Sequence, residues 1–212
     1  MFGLTHEEST ILRRLNAPKK IQDYLDTLAI NTEPEGDTCL SPRRVIREQR
    51  AHCIEAAMLA ALALRVHRQP PVVLQLTSSA HDFDHVITLF KQYGCFGAIS
   101  KSNHSVLRYR DPVYKTLREL ALSYFHEYID EQGRKTLRSY SVPMHLSRFD
   151  ARGWMTNEDH NWFIAEALVA ARHIPLVTRA QTQLLRRADA MEMRVGALTE
   201  WPTRSSSTTP PS

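Results

Sequence analysis

The chain has 212 residues, of which 42% are apolar and 24% charged, so it is long enough to bury one sizeable core without disulfides or metals. Lysine and arginine (27) outnumber aspartate and glutamate (23), for a net charge of +4, a mild bias that does not by itself indicate nucleic-acid binding. Mean hydropathy is −0.37, and charges interrupt every apolar run before the ~20 residues of a membrane-spanning helix, which excludes membrane insertion.

The N-terminal residues and the cysteines bear on where the protein is located. Residues 1–8 contain no basic patch followed by an apolar stretch, so they do not resemble a secretory signal. The three cysteines, Cys39, Cys53 and Cys95, include no CxxC pair. This pattern fits a reducing compartment better than a disulfide framework or a zinc site. We therefore expect a cytoplasmic protein with at least one free thiol.

Capping residues and a first-turn proline indicate three helix starts in the first half of the chain, at Thr5, Pro18 and Ser41. We expect one domain over residues 1–200. A disordered tail should follow over residues 201–212, because its serine, threonine and proline residues cannot form a core.

The most distinctive segment is residues 53–66, CIEAAMLAALALRV. Apolar residues surround its whole circumference, and Glu55 is its only charge before Arg65. A helix that is apolar on every side is buried in the middle of a protein. The segment therefore predicts a central helix that begins at Cys53.

Strands and further helices are predicted after this segment from β-branched enrichment and from apolar periodicity. The expected strands cover residues 72–76, 85–90, 94–100 and 137–142. The expected helices cover residues 115–128, 156–171 and 178–195, and residues 108–112 are expected to form a polar loop. The fold class is predicted to be α+β, with the central helix packed on an antiparallel sheet of three or more strands and flanked by other helices.

The order of a cysteine-headed helix and a histidine-headed strand has a chemical use. A helix N-terminus favours the anion and lowers the pKa of a cysteine, and the thiolate is the nucleophile. His85 opens a predicted strand, and an imidazole near Cys53 would act as general base and acid. The backbone amide of Cys53, unbonded in the first helical turn, would hold the developing oxyanion.

At these residues the sequence resembles the transglutaminase-like superfamily, which has a papain-like fold. The resemblance covers residues 41–114 and is carried by AHCIEAA at 51–57, DHVITLF at 84–90 and FGAIS at 96–100. It implies an antiparallel sheet packed on the nucleophile helix. It also implies thiol-mediated acyl transfer or hydrolysis on an amide or peptide bond, with Cys53 as nucleophile, His85 as acid and base, and no metal or other cofactor.

The third catalytic position departs from the family. Members place an aspartate or asparagine where Ser100 stands by its spacing from Phe96. A serine hydroxyl accepts a hydrogen bond from imidazole, but charge-assisted bonds are roughly twice as strong. We expect weaker activation, with Asn103 and Asp111 as alternatives if the strand bulges.

Other candidates are weaker. His81 and His85 would form a metal pair only on a helix, which this segment does not predict. Gln49 is a candidate second oxyanion donor, although a surface position is favoured. His104 lies near the expected site in sequence.

An alternative function is a catalytically weak or inactive binding module, since the acidic third residue is missing. Its affinity for an acidic partner would come from a basic helix that carries Arg43, Arg44, Arg47 and Arg50. The same cluster is more simply explained as a solvated helix face. Nucleic acid is not favoured as a partner, because no stacking aromatics accompany the arginines.

Overall fold

The structure is a computed structural model that describes residues 2–80 and 82–200. Its helices are α1 His6–Arg14, α2 Pro18–Thr27, α3 Pro42–Glu48, α4 Cys53–Val66, α5 Leu117–Leu122, α6 Trp162–Val169, α7 Arg179–Leu184, α8 Ala190–Gly196 and a 3-10 helix Leu146–Arg152. Its strands are β1 Ala29–Ile30, β2 Arg50–Ala51, β3 Val72–Thr77, β4 His85–Gln92, β5 Cys95–Ile99, β6 Arg110–Tyr114, β7 Ser139–Ser141, β8 Met144–His145 and β9 His173–Pro175. The tail predicted to be disordered, 201–212, lies outside the described residues.

The main sheet is antiparallel and runs in the order β6-β5-β4-β3-β7-β9, with β8 also paired to β3. The three central strands β3, β4 and β5 are consecutive in sequence and form a meander. A separate parallel pair joins β1 to β2, directly before α4. The protein is therefore α+β, as the sequence predicts.

Helix α4 is the centre of the larger apolar core. Every residue from Ile54 to Leu64 is buried, which confirms the interpretation of its all-round apolar pattern. The helix packs on one face of the sheet, and Thr88 Oγ1 of β4 donates a hydrogen bond to the Ala57 carbonyl (2.7 Å). This bond connects β4 to α4 near Cys53, the residue at which the helix begins.

The opposite face of the sheet carries a second apolar cluster. From the strands it takes alternate residues, among them Ile87, Leu89 and Ala98. The segment around α5 covers them with Leu120, Tyr124, Phe125 and Tyr128. Both faces of the central strands are therefore buried, which explains their nearly continuous apolar sequence.

The helix predicted over 115–128 is wrong in its second half. Helix α5 ends at Leu122, and residues 123–127 form tight turns. Ser123 Oγ donates to the Leu120 carbonyl (2.7 Å), a local bond that competes with continued helix. The aromatic residues Tyr124 and Phe125 are buried, as the periodicity predicts, but they lie in turns and not in a helix.

Two other helices are shorter than predicted. The expected helix over 156–171 begins only at Trp162, because Asn161 is held by Cys39 O (2.8 Å) and Trp154 O (2.8 Å). The expected helix over 178–195 is two helices. Residues 185–189 leave the helical path, and Asp189 caps a new helix through the Met191 amide (2.9 Å).

The polar loop expected over 108–112 is also wrong in part, because Arg110–Tyr114 forms β6. Asp111 and Pro112 lie in this strand, which is at the edge of the sheet. An edge strand tolerates proline because its outer N–H groups need no partner in the sheet. Within residues 2–80 and 82–200, no helix is both long and apolar enough to cross a membrane.

Replacing Gly97 with alanine should destabilise the sheet. A Cβ at this position would overlap the Phe90 ring and lie 2.8 Å from the Arg110 carbonyl oxygen, so β6 or the ring must move. We expect a loss of about 1–3 kcal/mol in the free energy of unfolding, measured by urea titration. Gly196→Ala is the matched control, since open space surrounds that position, and a loss of equal size there would contradict the explanation.

Candidate functional site

The position of Cys53 is set by two short elements that precede it. Strand β2 pairs in parallel with β1, with Ile30 opposite Ala51, and the chain then enters α4 through His52. Cys53 is the first residue of α4. Its amide therefore has no partner within the helix, and the helix N-terminus favours negative charge at its side chain.

Glu55 is a fully buried carboxylate in the first turn of α4. Its Oε1 accepts hydrogen bonds from Thr38 Oγ1 (2.7 Å) and the Leu40 amide (2.8 Å). Its Oε2 accepts from Asn31 Nδ2 (3.0 Å) and the His52 amide (3.0 Å). Burial raises the pKa of Glu55, but the hydrogen bonds from His52 and Asn31 and the His52 charge outweigh it and lower the pKa to about 2.

His52 lies between this carboxylate and the thiol. Its Nε2 faces two acceptors, the Thr38 carbonyl (3.1 Å) and Glu55 Oε1 (3.3 Å), and therefore carries a proton. Burial lowers the pKa of His52, but hydrogen bonds with Cys53 and Glu55 raise it above its ordinary value. The raised pKa favours the protonated form of His52, which lies between the Glu55 carboxylate and the Cys53 thiol.

His85, the first residue of β4, approaches Cys53 from the sheet. Its Nε2 lies 2.7 Å from Ser100 Oγ, and the Ser100 hydroxyl is itself 2.6 Å from the Leu107 carbonyl. A carbonyl can only accept, so the hydroxyl donates to Leu107 and must accept from His85 Nε2–H. The remaining ring nitrogen, Nδ1, is left for Cys53.

Ser100 is held from α2 as well. The Gln22 side chain accepts from the Ser100 amide (3.0 Å) and donates to the Ser100 carbonyl (2.8 Å). Ser100 is only 2% exposed. A buried amide side chain bonded twice to one residue fixes the backbone from which the hydroxyl reaches His85.

Both histidines favour the thiolate form of Cys53. Burial raises the pKa of this thiol, but hydrogen bonds with His52 and His85, and their charges, lower it below its ordinary value. Cys53 is partly exposed, whereas Cys39 and Cys95 are buried. Burial also raises the pKa of Cys39, to about 12. Cys53 is therefore a partly exposed thiol with a lowered pKa.

A pocket of about 300 Å³ opens at Cys53. His52, His85 and Tyr128 line it, and Phe83, which is 89% exposed, stands at its mouth. Most of its lining residues are polar or charged, so a bound substrate would meet hydrogen-bonding groups beside the thiol.

The structure brings together Cys53, His85 and Ser100, and it places Ser100 rather than either alternative against the histidine. Asn103 lines the pocket, but its backbone carbonyl is bonded to Glu200. Asp111 is exposed on β6. Strand β5 pairs with β4 in continuous register to Ile99, and the register shift between Phe96 and Ala98 is in its pairing with β6.

The remaining candidates from the sequence are not assembled into the site. Gln49 caps α3 and donates to the Ile46 carbonyl and the Tyr24 hydroxyl. His104 lines the pocket, and its Nδ1 is bonded to the Gly196 carbonyl (3.0 Å). His81 lies outside the described residues.

The basic cluster is paired with carboxylates of the same chain. The ion pairs are Arg43 with Glu8 (2.7 Å), Arg44 with Glu48 (2.8 Å), Arg47 with Glu158 (2.8 Å) and Arg50 with Glu48 (3.0 Å). These contacts neutralise much of the positive charge. They argue against the arginines as the source of affinity for an acidic partner.

The residues that the sequence analysis missed are His52 and the partners of Glu55. One signal was present, because Glu55 is the only carboxylate in an otherwise apolar helix and an unpaired buried charge is prohibitive. The partners Asn31, Thr38 and Leu40 lie in a loop with no regular pattern, so the sequence could not indicate them.

Comparisons with known proteins do not identify the chain. No model of a known protein family matches the sequence, and no curated protein matches it. Among residues 2–80 and 82–200, no group of three or more His, Cys, Asp or Glu side chains is placed to hold a metal ion. The function is therefore inferred from the geometry of the site.

Replacing Glu55 with glutamine should destabilise the protein at neutral pH more than at acidic pH. The pKa of Glu55 in the folded state is about 2, below that of an unfolded glutamate, ~4.3. The carboxylate therefore stabilises the fold above about pH 4, and this contribution is lost as the pH falls towards about 2. It amounts to about 3 kcal/mol.

Urea titrations at about pH 7 and about pH 3 measure this difference. The gap in free energy of unfolding between wild type and Glu55→Gln should shrink on acidification. Glu35→Gln, at an exposed loop position, is the control and should show no gap at either pH. A pH-independent gap for Glu55→Gln would show that the carboxylate is not ionised in the folded protein.

Proposed function

We propose that the protein is a cysteine enzyme of the transglutaminase-like type, which acts on an amide or peptide bond by acyl transfer or hydrolysis. One observation carries this proposal. Cys53, partly exposed at a helix N-terminus, lines one pocket together with His85, and Nε2 of His85 is bonded to the buried Ser100. A nucleophile, a base and a group that orients the base are what thiol catalysis requires.

In the first half of the proposed reaction, Cys53 Sγ attacks the substrate carbonyl carbon as a thiolate. His85 then holds the proton that the thiol has lost, on Nδ1. A C–S bond forms, and the carbonyl electron pair moves to oxygen. When the intermediate collapses, the C–N bond breaks and the amine leaves with the proton from His85. The product is a thioester on Cys53.

In the second half, His85 acts as a base. It accepts a proton from a water molecule or an amine, which attacks the thioester carbon. The C–S bond breaks, and the thiolate returns with the carboxylic acid or the new amide as product. Water gives hydrolysis, and an amine gives transfer.

The two histidines have separate roles in this proposal. His85 moves protons, because its Nε2–H is bonded to Ser100 and its Nδ1 remains for the thiol. His52 stabilises the thiolate by its charge, because Glu55 holds it as an imidazolium. The neutral Ser100 orients His85 but provides no charge to stabilise its protonated form.

The family resemblance and a papain-like fold are supported by the arrangement of the elements. The helix that begins at Cys53 packs on an antiparallel sheet, the strand that begins at His85 faces it, and Ser100 follows the neighbouring strand β5. This is the order that the resemblance implies. The serine at the third position remains a departure from it.

The rate of alkylation of Cys53 by iodoacetamide should rise with pH, and the midpoint of this rise should lie well below the ~8.5 pKa of a free thiol. Removal of either neighbouring imidazole, as in His85→Ala or His52→Ala, should raise the midpoint. Wild-type protein should also form one acetyl-enzyme with p-nitrophenyl acetate, detected by intact mass. His85→Ala should slow this acetylation by about 10²-fold or more.

Cys53→Ser is the control for the same two measurements and should show neither modification, because Cys39 and Cys95 are buried. An ordinary alkylation midpoint that does not respond to His85→Ala would contradict the proposal. So would a wild-type protein that p-nitrophenyl acetate does not acetylate at Cys53.

Ser100→Ala should slow acetylation of Cys53 by about fivefold, because His85 loses the acceptor of its Nε2–H bond, worth about 1 kcal/mol. Ser141→Ala is the matched control. Ser141 is also a buried serine, and its hydroxyl accepts from the Gln75 amide (3.0 Å) without touching His85. Equal losses of acetylation rate in the two variants would show that Ser100 has no specific role in orienting the histidine.

A further inference from the structure

Tyr128 presents an unpaired polar group in the middle of the protein. Its side chain is 2% exposed. Among the residues that the structure describes, no group lies within hydrogen-bonding distance of its hydroxyl. A buried donor without an acceptor costs about 1–3 kcal/mol, so a hydroxyl at this position needs a reason.

The same side chain lines the pocket of Cys53 and His85. Burial raises the pKa of Tyr128 well above its ordinary value, and the negative charges of Cys53 and Asp82 add to the effect. The hydroxyl therefore keeps its proton and can serve only as a neutral donor beside the nucleophile.

Two other polar groups around the pocket have partners within the protein. Lys101 Nζ is bonded to the Leu25 carbonyl (2.9 Å) and the Leu28 carbonyl (2.8 Å). His104 Nδ1 is bonded to the Gly196 carbonyl. Within the described part of the chain the Tyr128 hydroxyl has no such acceptor, and its side chain lines the pocket.

We propose that the Tyr128 hydroxyl donates a hydrogen bond to the carbonyl oxygen of the acyl substrate and to the oxyanion formed when Cys53 attacks it. This inference rests on the proposed function. The Cys53 amide, unbonded in the first turn of α4, is the second donor. Tyr128 keeps its proton throughout, while the electron pair of the carbonyl bond moves to oxygen and back.

The proposal explains why the unpaired hydroxyl is retained. The energetic cost of its burial is present in the empty site and is removed when the oxyanion accepts its hydrogen bond. A donor that is already desolvated and fixed requires no reorganisation during the reaction, which is how such groups stabilise a transition state.

The test compares two reactions of Cys53 in Tyr128→Phe. Alkylation by iodoacetamide is a displacement at a saturated carbon and forms no oxyanion, whereas acetylation by p-nitrophenyl acetate passes through one. The acetylation rate constant should fall by about 10²-fold or more. The alkylation rate and its pH midpoint should remain within about twofold of wild type, since Tyr128 is not bonded to the thiol.

Thermal stability is a second measurement that distinguishes the two roles of the hydroxyl. If the hydroxyl had a structural role, Tyr128→Phe would lower the Tm. Removing an unpaired hydroxyl should leave the Tm of Tyr128→Phe unchanged or higher. Tyr124→Phe is the matched control, because Tyr124 is equally buried and its hydroxyl donates to the Arg108 carbonyl (3.0 Å). That variant should lose stability and keep its acetylation rate.

The other outcomes would contradict either the oxyanion role of Tyr128 or the proposed function. Unchanged acetylation in Tyr128→Phe, or an equal fall in alkylation and acetylation, would overturn the oxyanion role and leave the proposed function intact. Unfolding of Tyr128→Phe would show that its hydroxyl has a partner within the protein and would also overturn that role. Absence of acetylation in the wild type would overturn both the proposed function and the role of Tyr128.

Discussion

The buried carboxylate of Glu55 is the interaction on which the site depends. It joins the loop that follows β1 to the first turn of α4, through Asn31, Thr38 and Leu40 on one side and the His52 amide on the other. These bonds make burial of the charge tolerable. They also fix the direction in which the chain enters α4, and with it the position of the nucleophile.

The two imidazoles reach the thiol from different layers of the fold. His52 directly precedes α4 and is held by Glu55, whereas His85 belongs to the sheet and is held by Ser100. The packing of α4 on β4 determines whether the two meet at Cys53. Thiolate stabilisation and proton transfer are thus assigned to separate groups, each with its own partner.

The C-terminal part of the chain supports the loop after β5. The amide of Ser105 is bonded to the Leu198 carbonyl (2.8 Å), and the amide of Glu200 to the Asn103 carbonyl (2.7 Å). The same loop provides the Leu107 carbonyl that holds the Ser100 hydroxyl. Residues far from the nucleophile in sequence therefore contribute to the orientation of His85.

Short-range pattern was sufficient to predict the central helix and the three strands of the meander. Each of these segments is a nearly continuous apolar run, which is the local pattern of a helix or strand that is buried on all sides. Short-range pattern also made Cys53 and His85 candidates, by their places at the start of a helix and of a strand, whereas Ser100 was indicated by the family resemblance. Only the tertiary structure decided which polar groups meet across the chain. The acceptor of a buried hydrogen bond is set by packing rather than by sequence spacing, so the partners of Glu55 and the position of Tyr128 outside a helix could not be predicted. The pairing of Arg43 with Glu8 and of Arg47 with Glu158 was decided in the same way, because these residues are distant in sequence. The pairs of Arg44 and Arg50 with Glu48 are local.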